Sequence, residues 1–336
     1  APSKYSAGPI LILLLSVILV SSGLNRVPEK VSWGFYGHKK INRLAIFTLP
    51  SEMFGFYKEH VEYITEHAVD PDKRRYAMDG EAPCHYIDLD HFYHKGEDPY
   101  EVMPKKWNDA VEKFSEDTLM AYGIVPWHIQ RVKYKLQRAF ERKNLDLILK
   151  YSADIGHYIG DAHVPLHTTE NYNGQMTNQK GIHGLWESRL VEINADTYDY
   201  FVGKSTYVKD VLGHAWEAVR GSHMALDSVL SMEIETTNEI PSDRKYSYER
   251  RGNVTVKAYS KEFCDLYHQK MNDMVERRMK KAIIAIGSIW YTAWVDAGQP
   301  DLRQLQNTAP SQELVQELEA LDAHFKNGEH KGRICD

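Results

Sequence analysis

Three histidines and an aspartate fall within eleven positions in HYIGDAHVPLH, residues 157–167. His157 and Asp161 are four residues apart, so on a helix both side chains leave one face about a turn apart and can grip one cation. Pro165 ends such a helix, and His167 emerges beyond it, near in space but aimed elsewhere, which suggests a second cation. The stretch GIHGLWESRL repeats the device with His183 and Glu187. One His–carboxylate pair at this spacing is most often a surface ion pair. Two of them, with His167 and the upstream run HYIDLDHFYH, point to metal ligation, because imidazole with carboxylate is a zinc donor set. No cysteine joins the set, which favours a hydrolytic over a structural site. A catalytic zinc keeps a position open for water and makes that water acidic enough to be hydroxide near neutral pH.

Helices must carry these donors. Ile41, Leu44, Ala45 and Phe47 recur at helical spacing, and SEMFGFYKEHVEYITEHA predicts a second helix capped by Ser51. Helical patterns continue in WNDAVEKFSEDTLMAYG, IQRVKYKLQRAFERKN, LDLILKYSADIGHYIGDAH and YVKDVLGHAWEAVRGSHMALDSVLSM. One long helix is expected from Ser260 to Gly298, closed by Pro300, with a short one in SQELVQELEALDAHF. The aromatics of IWYTAW recur at helical spacing and read as core. Residues 69–102 and 236–258 are polar and rich in turn formers; the first reads as a ligand-bearing loop and the second as a surface excursion. The expected fold class is all-α, with a single multi-helix domain at residues 33–300 and a C-terminal helical extension at 301–336.

The chain has 336 residues and 43% hydrophobic content, enough to fill a core, and its formal net charge of −6 advertises no nucleic-acid or membrane partner. Cys84, Cys264 and Cys335 are odd in number and lack CxxC spacing, which argues against a zinc ribbon or a disulfide scaffold and leaves room for one bridge at most. Lys4, the apolar run PILILLLSVILV at 9–20 and the small residues SSG have the layout of a secretory signal, so residues 1–32 are read as an export segment with a short linker. The expected location is secreted or periplasmic. An uncleaved membrane anchor is the alternative, but the run is shorter than the ~20 residues of a spanning helix.

Along most of its length the chain resembles the superfamily of zinc-dependent phospholipases C and single-strand-specific zinc nucleases. The resemblance runs from WGFYGH, with Trp33 and His38, through Asp70 in AVDPDKRR and His85 in CHYIDLD, to His157, Asp161, His167, His183 and Glu187, and reaches IWYTAWVDAG. It implies an all-helical fold and a zinc-dependent phosphodiesterase binding three zinc ions. Asp70, His85, His157 and Asp161 would hold one; His167, His183 and Glu187 a second; and Trp33, His38 and the bridging Asp161 a third. It further implies that Asp70 orients or deprotonates the attacking water and that Lys73 or Arg74 offsets charge on phosphorus. Tyr86 and Asp88 would contact substrate, as a base platform in the nucleases. The short segment TTENYNGQMTNQKGI between His167 and His183, and Glu187 in place of Asp, are phospholipase-like, whereas the Trp33 to His38 spacing is nuclease-like. The expected substrate is a phosphodiester, in a phospholipid or in a single-stranded nucleic acid, and no obligate protein partner is evident. An alternative of another class is a non-catalytic protein stabilised by coordinatively closed zinc sites.

Overall fold

The computed structural model describes residues 34–331 except 95, 253 and 329. Trp33, the apolar stretch 9–20 and Cys335 lie outside the described residues. The protein is mostly helical, and its only strands among the described residues form one antiparallel hairpin.

The organising element is the helix Leu145–Ala162. Leu145, Ile148, Leu149, Ser152, Ile155 and Ile159 recur at steps of three or four on one side, while its second half is buried on every side. The Asn144 side chain caps it by accepting the Leu147 N–H at 3.0 Å. Around it pack Val125–Glu141, Phe35–Ala45 and Met274–Asp296, and Val211–Glu239 lies beside it. Trp290 stacks on Tyr57 and donates its indole N–H to the carbonyl of Ser152 at 3.0 Å, tying the helix Met274–Asp296 to the centre.

One crossing positions the chemistry. Gly156 and Gly160 present a shaved face to the helix Phe35–Ala45, where a Cβ at Gly156 would stand 2.0 Å from Asn42 Oδ1 and one at Gly160 2.8 Å from Ile41 Cδ1. Small residues spaced by one turn let the two backbones approach closely, and that approach brings His38 alongside His157, their rings stacked at 3.9 Å.

Three expectations about elements are corrected. The long helix expected from Ser260 breaks into Lys261–Lys270 and Met274–Asp296, because Asn272 and Asp273 both adopt positive φ (50° and 54°), a left-handed turn that no α-helix contains. The excursion at 236–258 holds the hairpin Tyr246–Arg251 and Val254–Tyr259, in which Tyr246 pairs with Tyr259 and Arg251 with Val254. The second helix is interrupted at His60, giving Ser51–Glu59 and Val61–Glu66.

The C-terminal helix Gln312–Asn327, capped by the Ser311 side chain, packs on the short helix Asp70–Arg74. Asp322 accepts from Lys73 at 2.8 Å, and Phe325 meets Tyr76 edge-on at 5.0 Å. Cys84 and Cys264 are buried free thiols. Among the described residues no helix is long and apolar enough to cross a membrane.

Candidate metal centre

Five imidazoles, His38, His85, His157, His167 and His183, and three carboxylates, Asp72, Asp161 and Glu187, converge at the C-terminal end of the central helix. They come from six local elements. His38 is on the first helix and Asp72 on the turn Asp70–Arg74, while His85 ends the 3₁₀ turn Ala82–His85. His157 and Asp161 lie on Leu145–Ala162, and His167 on Pro165–Thr168 just past its end. His183 and Glu187 sit on a helical segment that widens into a π-turn over Leu185–Arg189. Wide π-turns recur at functional sites.

Asp161 is the hub. Its Oδ2 lies 2.9 Å from His85 Nδ1 and 3.2 Å from His157 Nε2, while Oδ1 lies 3.4 Å from His38 Nε2 and 3.6 Å from His167 Nδ1. Glu187 is the second hub, with Oε2 2.7 Å from His183 and 3.4 Å from His167, and Oε1 3.3 Å from His38. Asp72 Oδ1 completes the set at 3.6 Å from His157 and 3.8 Å from His85. Zinc–ligand bonds of about 2.0–2.2 Å in a tetrahedron separate the donor atoms by roughly 3.3–3.6 Å. The observed spacings straddle that value, so the residues fit divalent cations. Four overlapping groups of three donors could each hold one: His38/Asp72/His157, His85/His157/Asp161, His167/His183/Glu187 and His38/Asp161/Glu187.

The rings are oriented from behind. His157 Nδ1 donates to the carbonyl of Ala68 at 2.9 Å, and His183 Nδ1 donates to that of Tyr172 at 3.1 Å. A proton fixed on Nδ1 leaves the Nε2 lone pair facing the cluster. His167 Nδ1 lies 2.7 Å from the carbonyl of His85, which couples two ligand turns directly. His85 turns its other nitrogen toward Glu81, 3.6 Å away.

Electrostatics match this crowding. Burial opposes ionisation of Asp161, but the His157 and His167 charges outweigh it and hold its carboxyl well below the usual range. Burial likewise opposes ionisation of Glu187, and hydrogen bonds from His167, His183 and His38 override it. Burial pushes His38 down, yet hydrogen bonds to Asp161 and Glu187 win and raise it to about 10. His85 behaves alike, raised to about 9 against burial by Asp161 and Glu81. His157 is pushed down, by burial first and then by the His38 charge. One buried and two partly buried carboxylates demand positive charge, and protons or metal ions between the same atoms can supply it.

The cluster forms the floor of a cleft of about 200 Å³. Asp72, Asp161, His167, His183 and Glu187 open onto it; Arg75, Arg189 and Lys257 bring positive charge to its walls, with Tyr76, Tyr259 and Phe325 as aromatic surface. The catalytic and substrate assignments made from sequence meet a different geometry. Asp70 faces away, 2.8 Å from His67 and 3.1 Å from Lys73, and Lys73 is engaged by Asp70 and Asp322. Two residues apart on a helical turn means roughly 200° apart, so the cluster receives Asp72 and not Asp70. Arg74 points inward too, to Asp154 at 3.0 Å and Glu81 at 3.4 Å, and of the run Lys73–Arg75 it is Arg75 that lines the cleft. Tyr86 and Asp88 are buried and do not line the cleft. Tyr86 is extended (φ −146°, ψ 174°), which sends its ring away from its neighbour His85 and onto Gly123. Trp33 lies outside the described residues; Gly34 next to it abuts Glu187, where a Cβ would stand 2.9 Å from Oε1.

Sequence reasoning missed Asp72, Arg75, Arg189 and Lys257. Only Asp72 carried a signal, as the other acid of the DPD triplet. The chain matches no protein-family model and no curated protein.

Proposed function

We propose that the protein is a zinc-dependent hydrolase of phosphodiester bonds, of phospholipase C type. The observation that supports it is the cluster of overlapping His/carboxylate donor groups opening onto a cleft whose walls carry Arg75, Arg189 and Lys257. Zinc ions, when bound, supply a water acidified to near neutrality and positive charge for the phosphoryl oxygens. The chain's own residues do the rest. Asp161 and Glu187, each shared between donor groups, set the spacing of the site. The carbonyls of Ala68 and Tyr172 lock His157 and His183 in one tautomer. Asp72, at the edge of the cluster facing the cleft, is the acid placed to accept a proton from an attacking water, and Arg75 beside it is placed to meet a phosphoryl oxygen.

A single-strand nuclease is the second reading, favoured by Tyr76 and Tyr259 lining the cleft with Arg75 and Lys257. Aromatic faces next to cations are what stacked bases and their phosphates require. A closed, non-catalytic zinc site is disfavoured by the cleft, which reaches donors of both carboxylate hubs. The apolar stretch at 9–20 supports export of the protein.

Metal analysis with hydrolysis of bis(p-nitrophenyl) phosphate tests the proposal. Turnover is expected to vanish on chelation and return with zinc; turnover that persists after complete metal removal overturns it. Phosphatidylcholine and single-stranded DNA, offered as competing substrates, then separate the two enzyme readings.

A further inference from the structure

The hairpin Tyr246–Tyr259 lines the cleft although it bears no metal donor and stands outside the central bundle. Its second strand lays Lys257, Ala258 and Tyr259 along the cleft wall. It is latched there by Arg189, two residues after Glu187, whose Nε donates to the Tyr259 carbonyl at 3.0 Å and whose other nitrogens clasp the Glu249 carboxylate. Tyr259 itself reaches the donor segment, its hydroxyl 3.8 Å from where a Cβ on Gly181 would stand. The wall is therefore built against the metal-ligating segment.

The three cations of the cleft differ in what they already hold. Arg75 lies 3.8 Å from Asp72, and Arg189 is committed to Glu249 and the Tyr259 carbonyl. Lys257 is exposed and has no carboxylate partner among the described residues; its ammonium sits 4.0 Å over the Tyr246 ring, held from one side and open on the others. An ammonium on a long stem is a mobile point charge that suits a phosphate, and it repels a cationic headgroup such as choline.

Resting on the phosphodiesterase reading of the cleft, we propose that Lys257 is a specificity residue that takes a second phosphate group carried by the substrate beside the scissile phosphodiester. The floor cleaves one phosphate while the hairpin wall reads another. That chemistry has two sources, the next phosphate of a nucleotide chain or a phosphorylated lipid headgroup. A substrate whose only other charge is a quaternary ammonium gains nothing from this wall.

The test uses the full zinc-loaded chain and two matched pairs: thymidylyl-thymidine against its 5′-phosphorylated form, and short-chain phosphatidylinositol against its 4-phosphate. In the wild type, kcat/KM for the phosphorylated member of at least one pair is expected to be higher by about tenfold, a preference that Lys257→Glu abolishes and Lys257→Arg largely keeps. The pair that shows the preference identifies the source. Lys261→Glu, at a surface pair with Asp265 outside the cleft, serves as a charge control and is expected to leave the ratio unchanged. A preference absent from both pairs, or undiminished in Lys257→Glu, overturns the assignment. Pyrophosphate and orthophosphate binding by calorimetry gives a readout independent of turnover. If no phosphodiester is hydrolysed but Lys257→Glu still erases a pyrophosphate preference, the phosphodiesterase reading falls and the anion contact stands.

Discussion

Asp161 and Glu187 each belong to two of the three-donor groups, whereas His183 belongs to one. Glu187→Gln is therefore expected to lower bound zinc per chain further than His183→Ala does, as read by atomic absorption on dialysed protein. The DPD triplet offers a sharper contrast. Asp72→Asn removes a carboxylate facing His157 and His85 and should reduce kcat/KM by at least the ~10–100-fold typical of perturbed metal sites. Asp70→Asn should keep metal content and turnover within about threefold, because Asp70 serves an ion-pair network with His67 and Lys73 on the far side of the turn. Equal loss in both variants would mean that the two acids are not separated as described. At this scale His157, Asp161, His183 and Glu187 were legible in sequence because i, i+4 spacing on a helix is itself a geometric statement, whereas His38 and His85 entered only through the family resemblance. Which acid of a triplet faces the cluster was not, because that depends on how a one-turn helix is rotated against its neighbours.

The crossing between Phe35–Ala45 and Leu145–Ala162 is the element on which the centre depends. Gly156→Ala places a methyl group 2.0 Å from Asn42 Oδ1, inside a fully buried contact in which Asn42 also donates to the Ala153 carbonyl at 3.0 Å. Relief requires the helices to part or Asn42 to lose its bond. The expected cost is about 1–3 kcal/mol, seen as a lowered urea midpoint with unchanged slope. Because His38 rides on the displaced helix, zinc stoichiometry should fall in the same variant; full retention of zinc would show that the site tolerates a wider crossing. Most helices were legible from apolar periodicity. The hairpin was not, since its first strand, YSYERR, is polar on partly exposed faces, although Val254, Val256 and Ala258 alternate with Thr255 and Lys257 in the second. The break at Asn272–Asp273 was equally silent, because neither Gly nor Pro marks it.

Across the whole molecule, the C-terminal helix is part of the site's enclosure. Phe325 is buried, tilts against Phe35 at 5.8 Å and lines the cleft. Phe325→Ala should cost on the order of 3 kcal/mol in a denaturant titration and raise KM with little change in zinc content, since no donor is touched. A zinc loss matching the stability loss would instead make the helix a support of the centre. By itself the sequence determined that the protein is mostly helical and that His157 with Asp161, and His183 with Glu187, can each face one cation, because both follow from spacing along a regular backbone. Only the tertiary structure decided that Asp72 joins the cluster, that Tyr86 and Asp88 turn away, and that a hairpin carrying Lys257 and a terminal helix carrying Phe325 close over one cleft. Those facts depend on helix rotation and on contacts between residues far apart in sequence, which no local pattern encodes.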